Sequence, residues 1–174
     1  YVRLGNTTVV LTGTGGGFNG WTVDGVTEPI DALATLDTRH GESIESGEPH
    51  PNGITAIDHV VVNTGDVDRT AAALNGAGLQ CRGSRSTTSY GSPMRQQFYW
   101  LGDVILELVG PDEGEPTSGE PASLFGLALV SGDLDATVAA LGDLAGTPRD
   151  AVQPGRRIAA IRCERVGVSL PLAV

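Results

Sequence analysis

One ten-residue segment occurs twice in this chain, and that repeat constrains the fold more than any other feature. Residues 65–74 read GDVDRTAAAL and residues 132–141 read GDLDATVAAL, with seven of ten positions identical at an offset of 67. A repeat at a fixed spacing means two copies of one supersecondary unit. Each copy follows an apolar run suited to a strand, Ile57 to Val62 in the first and Leu124 to Val130 in the second. Asp66 and Asp133 stand where a helix N-cap is expected, because a carboxylate accepts from the orphan N–H groups of a first turn. Val67, Ala71 and Leu74 then fall at helical spacing, as do Leu134, Val138 and Leu141. Gly76 and Gly78 end the first helix, Gly142 and Gly146 the second. Three strands are predicted after each helix: 79–88, 94–101 and 103–109, then 147–152, 156–164 and 167–174. Gly102-Asp103 and Gln153-Pro154-Gly155 supply turns between them. The pattern is therefore α+β, with the order strand, helix, strand, strand, strand occurring twice.

Around the repeat, composition sets the boundaries. Residues 37–53 and 110–122 are polar and rich in Gly and Pro, and read as linkers. The expected organisation is a β-hairpin extension and linker over 1–53, a first module over 54–109, a linker over 110–122 and a second module over 123–174. The hairpin is placed at about 2–12 and 19–26. The glycine-rich run at 13–20 precedes a β-like segment rather than a helix, so it reads as a hairpin loop and not as a phosphate cradle.

The charge balance excludes several classes. The formal net charge is −10, and all 11 basic residues are arginines scattered along the chain. No basic stripe for nucleic acid is present, and without lysine neither a Schiff base nor a Walker A loop can form. No apolar run approaches a membrane span, and no signal-peptide core is visible. The first residue is Tyr1 rather than Met, so a preceding segment is expected. Cys81 and Cys163 are far apart and outside any CxxC pair, which reads as two thiols in strands and a cytoplasmic location.

The opening strand Ile57-Asp58-His59-Val60-Val61-Val62, the closing strand Ile105-Leu106-Glu107-Leu108-Val109 and the duplicated βαβββ order resemble the glyoxalase / bleomycin-resistance / extradiol-dioxygenase (vicinal oxygen chelate) superfamily. PRDAVQPGRR at 148–157 is similar to a stretch in a glyoxalase-like bacterial subgroup. The resemblance covers roughly 54–174. It implies two modules forming a curled eight-stranded mixed sheet around a shared cleft, and a homodimer. It also implies metal ligands on the first and fourth strands of each module, with His59 and Glu107 at those positions here. Such donors suit Zn, Ni, Mn or Fe as divalent ions. In the second module Gly126 and Pro171 replace the other two ligands. Three readings stand open: an organic ligand with no metal, a metal completed by Gln97, His40 or His50, or two chains pairing their first modules around a twofold axis.

The implied function is lyase or isomerase chemistry on a small carbonyl-containing molecule, with His59 and Glu107 as catalytic residues. The alternative is a non-catalytic binder of small molecules or drugs of the bleomycin-resistance type. Asn63 shares a strand face with His59, and Gln97, Tyr99 and Arg157 are further candidate substrate contacts. Strand alternation separates Gln97 and Tyr99 from Gln96, Phe98 and Trp100 without saying which set faces the cleft. A guanidinium at Arg157 or Arg156 suits a carboxylate, a phosphate or an enediolate oxygen. Tyr90 lies on a loop tip over 86–94.

Overall fold

The computed structural model of the chain describes residues 2–13, 17–36, 50–88, 91–112 and 119–174. They form two compact units that do not follow the order of the sequence. One is made from parts of Tyr1–Gly17, Gly41–Asp58 and Gly126–Val174, the other from parts of Phe18–His40 and His59–Phe125. Each unit carries mixed β-structure and one α-helix, so the chain is α+β. Among the described residues no helix is long and apolar enough to cross a membrane.

The unit containing His59–Phe125 has a full set of long strands. Strand β3 (Ile54–Asn63) enters it at His59 and is followed by helix α1 (Val67–Gly76), β4 (Cys81–Thr87), β5 (Met94–Leu101) and β6 (Val104–Pro111). The sheet order is β3-β6-β5-β4, with β3 parallel to β6 and the other pairs antiparallel. Helix α1 starts because the Asp66 carboxylate accepts the Arg69 N–H at 2.9 Å. Its Val67, Thr70, Ala71 and Leu74 are buried, which is the stripe expected of a helix covering a sheet. Gly110 lets the start of α1 lie close to β6. A Cβ there would meet Val67 Cγ2 at 2.6 Å and the Thr64 carbonyl oxygen at 2.7 Å.

Within 18–36 the chain makes no strand, which corrects the expectation of one over 19–26. It holds a bridge between Trp21 and Thr35 and a tight turn from Ile30 to Leu33. Asp31 and Ala32 at its centre have φ of 45° and 66°, the signature of a type I′ turn, here formed without glycine. Arg69 and Thr70 hold it. Arg69 Nε donates to Asp31 Oδ1 at 3.1 Å, and Thr70 Oγ1 donates to Asp31 Oδ2 at 2.5 Å.

The other unit is built from shorter pieces. Its N-terminal hairpin is β1 (Val2–Leu4) against β2 (Thr7–Val9), shorter than the 2–12 expected of its first strand alone. Strand β7 (Ser123–Ser131) leads into α2 (Leu134–Leu141), capped by Asp133 accepting the Ala136 N–H at 3.0 Å. Beyond it lie β8 (Arg149–Asp150), β9 (Arg157–Ile158), β10 (Ala160–Ile161), a 3-10 turn at Cys163–Val166 and β11 (Leu172–Ala173). The order is β10-β11-β7, with β11 parallel to β7, while β8 and β9 pair separately. This corrects the expectation of three full strands over 147–152, 156–164 and 167–174. The 3-10 turn closes with Gly167 at φ 77°, and Pro171 has no N–H to give to a ladder. Of the last predicted strand only Leu172 and Ala173 form a strand, flanked by Val174 exchanging backbone hydrogen bonds with Ala159 and by the Pro171 carbonyl accepting from Leu127.

Candidate functional site

Register places the site. Directly opposed residues of neighbouring strands share a sheet face. His59 lies opposite Ile105, and Ile105 opposite Trp100; Val61 lies opposite Glu107, and Glu107 opposite Phe98. Asn63 lies opposite Val109, Val109 opposite Gln96, and Gln96 opposite Arg85. One face of the sheet β3-β6-β5-β4 therefore carries a polar diagonal of His59, Glu107, Gln96 and Arg85, one residue from each strand. Phe98 and Trp100 flank it on one side, and Val61 and Asn63 on the other.

The contacts follow that diagonal. His59 Nε2 lies 3.4 Å from Glu107 Oε2. Gln96 Nε2 donates to Glu107 Oε1. Arg85 Nε donates to Gln96 Oε1 at 2.5 Å, and its guanidinium carbon sits 5.5 Å from the centroid of the Phe98 ring. The Gln96 amide has one orientation that satisfies both neighbours, because the carboxylate accepts only and the guanidinium donates only. Gln96 is 1% exposed and Glu107 9%, while His59 is half-buried and Arg85 exposed. A buried carboxylate is thus held by a buried amide, and an accessible imidazole stands beside it.

The other predicted site residues lie elsewhere. Gln97 and Tyr99 occupy the opposite face, opposed to Leu108 and Leu106. The Tyr99 phenol is fully buried and donates to Gln97 Oε1 at 2.7 Å, and burial pushes its pKa up to about 12. Strand alternation thus turns both away from His59 and Glu107, with which they were expected to line one site. Asn63 shares the face of His59 but is four residues along the strand, about 13 Å away.

In the other unit Arg157 makes a two-pronged pair with Asp135 on α2, with both N–O distances 2.9 Å. Each partner shifts the other: the carboxyl is held below its ordinary range and the guanidinium above its own. Arg157 is thus held by the helix at the surface of its unit. Arg156 pairs with Asp58 at 3.1 Å.

Gly126 and Pro171, the two positions where ligands are replaced, are packed on each other. A Cβ at Gly126 would stand 2.5 Å from the Pro171 carbonyl oxygen and 3.2 Å from its Cβ. The Leu127 N–H donates to that same carbonyl at 3.1 Å. The second copy thus has a glycine and a proline, neither of which can ligate a metal, at the positions matched to His59 and Glu107.

The donor set decides whether a divalent metal fits. A firmly held catalytic metal takes three protein ligands and keeps one position open. Among the described residues no group of three or more His, Cys, Asp or Glu could hold one. Gln97 faces away, and His50 Nδ1 is 2.6 Å from Asn52 Oδ1. His40 and Tyr90 lie outside the described residues. His59 and Glu107 alone do not fit a metal held in that way.

Sequence reasoning left the face of Gln96 undecided and passed over Arg85. The signal was present in the two-residue turn Gly102-Asp103. It pairs Leu101 with Val104 and so sets Phe98 opposite Glu107.

No family model matches the chain, and neither does any curated protein. Among solved structures the chain is similar to methylmalonyl-CoA epimerase from Mycobacterium tuberculosis, with 18% identity, coverage of 71% of this chain and 89% of that one, and a TM-score of 0.55. A hypothetical protein from Bacillus halodurans C-125 is similar at 15% identity over 67% of this chain and 90% of its own, with a TM-score of 0.51. A selenomethionine methylmalonyl-CoA epimerase is similar at 17% identity over 67% of this chain and 91% of its own, with a TM-score of 0.50. Identities this low speak to fold alone. On that ground, the chain has the fold of the vicinal oxygen chelate superfamily.

Proposed function

We propose that the chain is an isomerase or lyase that moves a proton on a small carbonyl compound, with His59 as the proton-transferring group and Glu107 as its orienting partner. The observation that carries this reading is the imidazole 3.4 Å from a carboxylate that is buried and anchored by Gln96. Proton transfer by a positioned histidine suits chemistry next to a carbonyl. The C–H bond beside the carbonyl breaks, the proton goes to the imidazole, and the electron pair moves onto the carbonyl oxygen. The proton then returns to the same or a neighbouring atom, so no oxidant or reductant is consumed. Glu107 stabilises the imidazolium that forms, and no step is routed through a metal. The fold shared with methylmalonyl-CoA epimerase supports a carbonyl substrate of this class.

The test is solvent exchange. The protein is incubated in deuterium oxide with methylmalonyl-CoA or with the hemithioacetal of methylglyoxal and glutathione, and deuterium uptake beside the carbonyl is followed by NMR. Exchange is expected with at least one of them, and His59→Ala should slow it by about 10²–10⁴-fold. Tight binding without exchange, unchanged in His59→Ala, would support instead a non-catalytic binder of the bleomycin-resistance type.

A further inference from the structure

We infer that Arg85 is the anion-recognition residue of this site, and that the substrate is a small carbonyl compound carrying a carboxylate. The inference rests on His59 and Glu107 marking the reacting end. Arg85 lies on the same face as both, at the other end of the polar diagonal, and it is exposed. Two contacts fix its guanidinium without covering it. Its Nε is engaged by Gln96 Oε1 at 2.5 Å, and its plane is held near Phe98, with the central carbon 5.5 Å from the ring centroid. The edge formed by the two terminal nitrogens has no partner among the described residues. Two parallel N–H donors in a plane match the two oxygens of a carboxylate.

A solvated surface arginine would be free to move. This one is oriented by a buried amide, and that same amide holds the Glu107 carboxylate through its other end. Gln96 therefore sets the spacing between the anion-binding edge and the proton-transfer pair. Arg85 and His59 stand three strands apart, so the anion and the reacting carbon are separated by about 14 Å. Phe98 and Trp100 lie along the face between and beside them, with Trp100 56% exposed. A flexible apolar chain joining carbonyl to carboxylate suits that surface.

The experiment uses 12-oxotridecanoate and its methyl ester, a matched pair whose ketone is joined to a charged or a neutral end by ten methylenes. Their dissociation constants are measured by calorimetry for the wild-type chain, Arg85→Met and Arg85→Lys, with thermal melts to confirm folding. The wild type should bind the acid at least about tenfold more tightly than the ester, as a charge-assisted hydrogen bond provides. Arg85→Met should bring the ratio close to one, and Arg85→Lys should leave an intermediate ratio. A wild type that binds acid and ester alike, or binds neither, overturns the inference. So does a preference for the acid that survives in Arg85→Met. Deuterium exchange beside the ketone is followed in the same samples. A preference that depends on Arg85 without any exchange leaves the anion site standing and removes only the proton-transfer reading. Exchange without any preference does the reverse.

Discussion

The two copies of the repeat share a corner and diverge on its far side. In the first, the Asp66 N–H donates to Thr64 Oγ1 at 3.0 Å, and Thr64 Oγ1 lies 2.8 Å from Thr70 Oγ1. In the second, the Asp133 N–H donates to Ser131 Oγ at 3.1 Å, and that hydroxyl lies 2.7 Å from Thr137 Oγ1. Strand end, cap and first helical turn are thus built alike, down to the hydroxyl pair. Beyond the corner, the first copy keeps strands of seven, eight and eight residues, and the second keeps pairs of residues. Helix α1 buries four residues where α2 buries Thr137 alone. The difference teaches that the corner needs only local hydrogen bonds, whereas long strands need apolar residues in step with a partner. The His59–Glu107 pair sits on the copy that kept them.

The largest test of this contrast is core truncation at equivalent positions. Leu74 is fully buried and its counterpart Leu141 is half-buried. Leu74→Ala should cost about 2–5 kcal/mol and Leu141→Ala about half of that or less, read from urea unfolding. Equal costs would erase the contrast. Next comes Gly126→Ala, which forces a methyl group against the Pro171 carbonyl. Overpacking against backbone should destabilise by about 1–3 kcal/mol, and a neutral melt would show that the Gly126–Pro171 contact yields. The smallest is the hydroxyl pair. Thr70 donates to the Asp31 carboxylate and Thr137 to the Asn52 carbonyl at 2.7 Å. Thr70→Val should cost about 2 kcal/mol and Thr137→Val about 1 kcal/mol, because a bond to a charged group is the stronger. A reversed order in thermal melts would mean that the Asp31 turn does not depend on Thr70.

The sequence carried the corner almost completely. Asp66 and Asp133 cap the helices they were expected to cap, because capping is a local contact between residues three apart. The His59–Glu107 juxtaposition was legible from the family resemblance and from strand alternation. The phase of β5 was legible too, through the two-residue turn at Gly102-Asp103, yet Gln97 and Tyr99 were placed at the site instead of Gln96. What could not be read was the fate of 147–174. Its residues alternate passably, and only tertiary packing decides whether such a stretch stays extended or breaks into a 3-10 turn. Arg157 shows the same limit, since nothing in the sequence says that Asp135 would take its guanidinium. The chain from 18 to 36 follows a turn without glycine at its centre, a conformation that no residue-type rule proposes for Asp-Ala.

The contact between Gly126 and Pro171 works as a ratchet. A histidine introduced at 126 alone meets a carbonyl group, and a glutamate introduced at 171 alone faces a position with no side chain to answer it. Recovering a second pair of donors would require both changes together with a shift of the strands that carry them. A side chain at 126 is strained while the Pro171 carbonyl stays in place, and one at 171 gains nothing by itself, so no single substitution supplies a second pair of donors.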